Sequence, residues 1–455
     1  MTTKENPAPP PPPAPPPAVA RTVLRPALEL YLDVHAHPEL SGAEARTADR
    51  FAARLEASGC TVTRKVGGGH GLVGVLRNGP GPTVLLRTEL DALPVTERTG
   101  LAYTSTVPGI MHACGHDLHL AAAAGAVDEL SRTRAEWSGT VLVVGQPAEE
   151  TLNGAREMLA DGLYERFGTP DAALAQHTSP APAGTLAHAA DFRTPLMAAG
   201  AAVDITLYGR GGHAGTPHLA VDPVLAAAAT VLRLQSVVSR ETAPAEQAVL
   251  GVGMLRAGER GNVIPETAEL SLCMRASSER TLDRMTAAVR RIVAAESAAS
   301  GCPKEPGLVV TARSPALRTD AAATAGVRRA HEALFGRERV TDCGLLTATE
   351  DFSWFGAPPG FLPDSPPGFP PDSSPGFPSG LPEGFPPGSP AVATVYWLLG
   401  VTGARQWRAA RAGGPPVPPN HAPEFAPDVR TALPAGIVAM ASAARHVLNP
   451  EGNAP

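Results

Sequence analysis

Short apolar runs alternate with helical segments along most of this chain, and this alternation constrains the fold more than any other feature. The runs Thr83–Leu86 and Val141–Val144 are typical of buried strands. The alanine-rich segment His119–Leu130 between them is typical of a helix. Strands separated by helices predict a mostly parallel sheet in an α/β domain.

A second pattern begins near residue 195. The segment Val203–Leu207 alternates apolar and polar residues like a half-buried strand. Asp222-Pro223 then opens a helix, with Asp222 as N-cap and proline in the first turn. Two strands, a helix over Glu279–Ser297 and a strand at Leu308–Thr311 follow. The order βαββαβ predicts a ferredoxin-like α+β unit inserted into the larger domain.

Two proline-rich segments interrupt these patterns, since proline cannot donate to a helix or a sheet ladder. We expect a disordered tail over 1–20 and an irregular surface insertion over 357–390, where Pro-Gly-Phe recurs. The remaining boundaries are 21–194 and 313–455 for the larger domain and 195–312 for the small one.

Composition excludes several classes of protein. The formal net charge of -6 argues against a globally basic nucleic-acid binder. The chain has no uninterrupted apolar run that could span a bilayer, and its proline-rich start has no apolar h-region, so we expect no secretory signal. Its 5 scattered cysteines form no disulfide framework. We therefore expect a cytoplasmic protein with neither a membrane nor a nucleic-acid partner.

Polar residues cluster where strands of the larger domain should end, which is where ligands bind in open α/β sheets. The five clusters are Arg87–Asp91, Met111–Asp117, Gln146–Glu150, Gln176-His177 and Asn420–Glu424.

The side chains of these clusters converge on metal chemistry, because thiolate, imidazole and carboxylate are the ligands of zinc and its first-row neighbours. Cys114 and His116 can turn toward one centre from an extended loop, and in an extended segment Glu149 and Glu150 point to different sides. One glutamate can then bind metal while the other shuttles a proton. Each of these residue clusters, taken alone, more often has a structural role. The presence of all five clusters in one chain favours a metal site.

These segments resemble the peptidase M20 family, and most closely its amidohydrolase subgroup of N-acyl-amino-acid, hippurate and auxin-conjugate amidohydrolases. The resemblance covers nearly the whole chain outside the two proline-rich segments. The matching stretches are His35–Ser41, Leu86–Pro94, Met111–His119, Gln146–Glu150, Gly209–His218, Ser239–Glu241, Gly261–Pro265, Glu350–Ser353 and His421–Phe425.

The resemblance implies a catalytic domain that binds two divalent ions (Zn, Mn or Co), an inserted lid domain and a small amide substrate. It implies Glu149 as general base, Asp91 as a group that orients a ligand, and His213 of the lid as the oxyanion stabiliser. Asn262 and Arg275 are candidates for binding a substrate carboxylate. The implied metal ligands are Cys114, His116, Glu150, His177 and His421.

The expected reaction is attack on an amide carbonyl by a hydroxide held between the two ions. A dipeptidase or exopeptidase of the same metal chemistry is the alternative, followed by a metal-binding protein that has lost catalysis. A redox role for Cys114 is disfavoured, because no second cysteine lies nearby in sequence. Lid domains of this type can pair edge to edge, which leaves a homodimer open. Glu89 stands where the subgroup usually has Asp, and its role is open as well.

Overall fold

The computed structural model describes residues 18–357 and 392–449. Most of the proline-rich tail and nearly all of the predicted insertion lie outside these residues. The helices are α1 (Arg21–Ala36), α2 (Ala45–Ala57), α3 (His116–Arg132), α4 (Gly154–Ala160), α5 (Leu163–Phe167), α6 (Pro223–Glu241), α7 (Glu279–Ala299), α8 (Ala321–Phe335), α9 (Ala404–Arg411) and α10 (Val429–Leu448). The strands are β1 (Thr61–Val66), β2 (Gly71–Asn78), β3 (Thr83–Glu89), β4 (Gly139–Gln146), β5 (Ala172–Pro182), β6 (Leu186–Ala189), β7 (Ala199–Tyr208), β8 (Gly212–His213), β9 (Ala248–Ala257), β10 (Val263–Ile264), β11 (Thr267–Ala276), β12 (Gly307–Ser314), β13 (Val340–Cys343) and β14 (Ala393–Thr402).

An eight-stranded sheet with the order β1-β2-β4-β3-β5-β14-β6-β13 forms the larger domain. Its central strands β4, β3, β5 and β14 run parallel, and β13 is parallel to β6. The other three pairings, β1 with β2, β2 with β4 and β14 with β6, are antiparallel. The predicted mostly parallel α/β sheet is therefore confirmed, and its central strands are apolar because helices cover both faces.

The helices α3 and α10 pack against each other and against one face of this sheet. Thirteen of the 17 residues of α3 are buried, and its alanines let the neighbouring helices approach closely. Among the described helices, α10 alone has the length and hydropathy of a membrane span, but 67% of that stretch is buried inside the protein. Such burial is what a core helix of a folded domain shows.

A second, four-stranded antiparallel sheet with the order β12-β7-β11-β9 carries α6 and α7. Along the chain its elements run β7-α6-β9-β11-α7-β12. The Asp222 side chain accepts a hydrogen bond from the Val224 N–H, as expected of an N-cap before Pro223. Leu270, Leu272 and Met274 of β11 are buried beneath the two helices, which gives this sheet a core of its own.

Candidate metal centre

Glycine and left-handed backbone shape the loop that carries Cys114 and His116. Gly115 between them has a φ of 85°, and a Cβ there would come within 2.7 Å of the Thr178 side chain. The helix α3 begins at His116, three positions before the predicted start at His119. The two side chains therefore converge through a turn and a helix N-terminus rather than along an extended loop.

The Glu149-Glu150 pair also differs from the prediction. The two residues lie in a turn after β4, where Ala148 has a φ of 52°, and not in an extended segment. Both carboxylates consequently face the same side and lie near the His116 ring. Its Nε2 atom is 3.7 Å from Glu149 Oε2 and 3.9 Å from Glu150 Oε1.

His177 and His421 complete the cluster around the Cys114 sulfur. Cys114 Sγ lies 3.3 Å from Nε2 of each ring, and His421 Nε2 is 3.5 Å from Glu150 Oε1. His177 lies within β5, which continues to Pro182. All five expected ligands are thus gathered at one place.

Backbone hydrogen bonds hold two of the imidazoles in the form that binds metal. His116 Nδ1–H donates to the Asp91 carbonyl (2.9 Å), and His177 Nδ1–H donates to the Thr178 carbonyl (2.8 Å). Each ring therefore presents an Nε2 lone pair to the centre of the cluster. Burial lowers the pKa of His177 to about 3, which keeps this ring neutral.

Two buried carboxyl groups make the cluster suited to a cation. Burial raises the pKa of Glu150 to about 7, and burial together with Glu350 raises the pKa of Glu149 well above its usual value. His116 Nε2 and Glu150 Oε1 are buried without a hydrogen-bond partner among the described residues. Buried polar atoms that face one another unpaired are costly. A divalent ion at this position would satisfy them, so the residues fit a metal.

Asp91 lies where it can orient the ligands around it. One of its carboxylate oxygens accepts hydrogen bonds from Ser41 Oγ (2.7 Å) and from the Glu150 N–H (2.9 Å). The other lies 3.4 Å from His116 Nδ1. These contacts lower the pKa of Asp91 despite its burial, which favours a carboxylate anion beside the cluster.

A buried ionic network behind the cluster was missed by the sequence analysis. The guanidinium of Arg87 on β3 binds Glu89, Glu350 and Asp351. The strand pattern offered one signal, because Arg87 and Glu89 are two residues apart and so lie on the same face. No local pattern could have shown that Glu350 and Asp351 come back to this face.

A cleft of about 650 Å³ opens beside the cluster, between the two sheets. Its walls include Glu149, Glu150 and His421 on one side and Arg275 of β11 on the other. The guanidinium of Arg275 donates to the Thr347 carbonyl (2.9 Å). Among the described residues that line this cleft, neither His213 nor Asn262 is present. Both are exposed and lie close together at a separate two-stranded sheet formed by β8 and β10.

The fold and this donor set together define a candidate divalent-metal centre in an α/β domain. Residues 85–369 match the model of peptidase family M20/M25/M40. The chain belongs to this family.

The chain is similar to two bacterial deacetylases. The chain is 41% identical to the N-acetyldiaminopimelate deacetylase of Leuconostoc mesenteroides over 215 residues, 47% of this chain and 55% of that protein. It is 36% identical to an N-acetylcysteine deacetylase of Bacillus subtilis over 271 residues, 59% of this chain and 69% of that protein. The first alignment thus spans only about half of the relative.

A solved structure matches almost the whole chain. The Bacillus subtilis YXEP protein, described as a dinuclear metal-binding peptidase of the M20 family, superposes with a TM-score of 0.66 at 25% identity. The match covers 94% of this chain and 99% of that one. The shared fold therefore includes both sheets described above.

Proposed function

We propose that this protein hydrolyses the amide bond of N-acyl amino acids or of related small amides. The observation that carries the proposal is the convergence of a thiol, three imidazoles and one carboxylate, with a second carboxylate left over beside them. The residues that would hold two divalent ions are Cys114, His116, Glu150, His177 and His421.

Zinc, manganese and cobalt all accept this mixed ligand set. When bound, such ions lower the pKa of a water and polarise the carbonyl that it attacks. The thiolate and the neutral imidazoles favour these metals over magnesium or calcium, which prefer oxygen ligands. Metal analysis of the purified protein identifies the ion.

Glu149 is the general base of this proposal. Its carboxylate lies at the cluster and lines the cleft, so it can reach a water placed there. Because burial and Glu350 raise its pKa, it is a stronger base than an exposed glutamate. It accepts the proton of the attacking water and then returns that proton to the leaving amine.

Arg275 is suited to binding the carboxylate of the amino-acid half of the substrate. It faces the cleft from the small sheet, and its contact with the Thr347 carbonyl fixes one side of the guanidinium fork. The planar fork matches a carboxylate in a bidentate arrangement. Asn262 would assist only if the two-stranded β8-β10 sheet beside it moved toward the cleft.

The small sheet and its helices, residues 195–312, would act as a lid. His213 follows two glycines and is exposed, so movement of this domain would be needed to bring its ring to the substrate oxyanion. We expect His213→Ala to lower kcat while both metals stay bound. Unchanged turnover in this variant would exclude the role.

Pairing of two copies through the lid is part of the proposal. The strand β9 is an edge of its sheet, and Leu225 and Leu232 of α6 are 68% and 76% exposed. Analytical ultracentrifugation of the wild type and of Leu232→Glu measures the oligomeric state, and a monomeric wild type would contradict the pairing.

The alternative is a dipeptidase or exopeptidase, which needs the same cluster and differs only in what the cleft accepts. A catalytically inactive metal-binding protein is less favoured, because the spare carboxylate of Glu149 has no role in it. Relative turnover of N-acyl amino acids and of dipeptides separates the two enzymes.

Removal of the metals should abolish hydrolysis. We expect dialysis against a chelator to eliminate turnover of an N-acyl amino acid, and a stoichiometric addition of Zn²⁺, Mn²⁺ or Co²⁺ to restore it. Turnover is measured by release of the free amine. Full activity in protein shown by elemental analysis to lack metal would contradict the proposal, as would a fully loaded protein inert to every amide of the panel.

All five cysteines are free thiols in the structure. We propose a cytoplasmic location on this basis, because a reducing compartment keeps such thiols unpaired. Thiol titration of the denatured protein without reductant should find every cysteine, and a shortfall would argue for an oxidising compartment.

A further inference from the structure

Among the groups that could hold a metal, Glu89, His116 and His119 form a cluster whose ligand atoms lie within 4.8 Å of one another. Glu89 and His119 have no free ligand atom, however. One oxygen of Glu89 binds Arg87, and the other accepts from His119 Nδ1–H (2.9 Å). His119 Nε2 accepts a hydrogen bond from the Thr178 backbone N–H (2.8 Å). The ligand atoms of Glu89 and His119 are therefore already engaged by protein hydrogen bonds, and these two residues must have a role other than metal binding.

The bond to Thr178 replaces a missing sheet contact. The ladder between β3 and β5 ends at the pair Leu86–Leu174, so β3 supplies no acceptor at Thr178. Thr178 is 2% exposed, and an unpaired N–H at that depth would be costly. The imidazole of His119 thus accepts the Thr178 hydrogen bond that a carbonyl of a neighbouring strand would otherwise accept.

Thr178 in turn holds two of the expected metal ligands. Its carbonyl accepts the Nδ1–H of His177 (2.8 Å), and its hydroxyl donates to the Cys114 carbonyl (2.7 Å). The ring of His119 also packs on that of His177, with the centroids 4.9 Å apart. The position of Thr178 therefore sets the direction of the His177 lone pair.

The tautomer of His119 is fixed by its two partners. An N–H aimed at Nε2 requires a lone pair there, so the ring proton must be on Nδ1, where the Glu89 carboxylate accepts it. Arg87 holds that carboxylate in place from the other side. A glutamine at position 89 could instead offer an N–H to Nδ1, which would favour the wrong tautomer.

Resting on the proposed two-metal function, we infer that Glu89 and His119 are positioning residues that fix the His177 side of the metal centre through the backbone of Thr178. They touch neither metal nor substrate in this role. Their loss should weaken the ion held by His177 more than the ion held by the other ligands.

The test is metal binding by the full-length apoprotein, with Co²⁺ as the probe in calorimetry and in absorption spectroscopy. We expect His119→Leu and Glu89→Gln to weaken one of the two Co²⁺ sites by about 10- to 100-fold, the usual effect of losing a partner behind a ligand. The ligand-field bands of that ion should change, which a general loss of stability would not produce.

Conservative variants provide the rescue. Glu89→Asp keeps the charge, so it should bind Co²⁺ more tightly than Glu89→Gln. His119→Gln keeps an acceptor for the Thr178 N–H, so it should bind Co²⁺ more tightly than His119→Leu. His331→Gln is the matched control, since His331 is a buried histidine that binds His188 and the Ala439 carbonyl outside the cleft. Its Co²⁺ affinity and spectrum should equal those of the wild type.

Two outcomes separate this inference from the proposed function. A wild-type protein that binds no divalent ion would overturn the proposed function itself. A wild type that binds two ions, together with His119→Leu and Glu89→Gln proteins of unchanged affinity and spectrum, would overturn the positioning role alone. If His119→Leu fails to fold, the comparison of Glu89→Gln with Glu89→Asp decides.

Discussion

Replacing Glu149 by glutamine should lower kcat by about 10²- to 10⁴-fold, the usual contribution of a general base. The amide has nearly the volume of the carboxylate but cannot accept the proton of the attacking water. Since Glu149 is not among the five expected ligands, the Glu149→Gln protein should still bind both ions. The measurements are steady-state turnover of an N-acyl amino acid and metal content.

The matched control for this variant is Glu157→Gln. Glu157 lies on α4, just beyond the same turn, and is absent from the described residues that line the cleft. Its substitution should leave kcat unchanged. Wild-type kcat in a metal-loaded Glu149→Gln protein would show that another group removes the proton.

Replacing Cys114 by serine should lower both metal binding and activity, because the Cys114 sulfur lies 3.3 Å from Nε2 of both His177 and His421. A serine hydroxyl is a far weaker metal ligand than a thiolate. We expect metal affinity to fall by more than the roughly 10- to 100-fold that follows loss of a group behind the ligands. Activity should fall with it.

Calorimetry on the Cys114→Ser apoprotein measures this loss, and Cys343→Ser is the control. The Cys343 thiol donates to the Gly344 carbonyl outside the cleft, a bond that serine can reproduce. Activity of Cys114→Ser that returns fully at high metal concentration would fit weakened binding. Undiminished affinity would mean that the thiol is not a ligand.

Much of the fold could be predicted because the relevant signals are local. Apolar runs such as Thr83–Leu86 revealed the central strands, and Asp222-Pro223 marked the start of α6. The polar clusters that follow the strands could also be placed together, since the carboxyl ends of parallel strands meet at one edge of a sheet. These inferences need only residue type and spacing.

The parts that could not be predicted depend on backbone conformation or on distant contacts. The left-handed backbone at Ala148 turns both glutamates toward the same side, and alanine gives no sign of such a conformation. The partners of Arg87 lie more than two hundred positions away at Glu350 and Asp351. The roles of Asp91, His213, Asn262 and Arg275 stay predictions, of which the His213→Ala variant tests one.

The order of strands in the large sheet also determines when, during synthesis, the expected metal ligands can first meet. Cys114 and His421 are 307 positions apart, and β14 lies between β5 and β6. A nascent chain that has emerged only as far as β6 exposes the unpaired edge that β14 will later cover. Such a chain is prone to aggregation through that edge, and the five expected ligands cannot meet until His421 has been made.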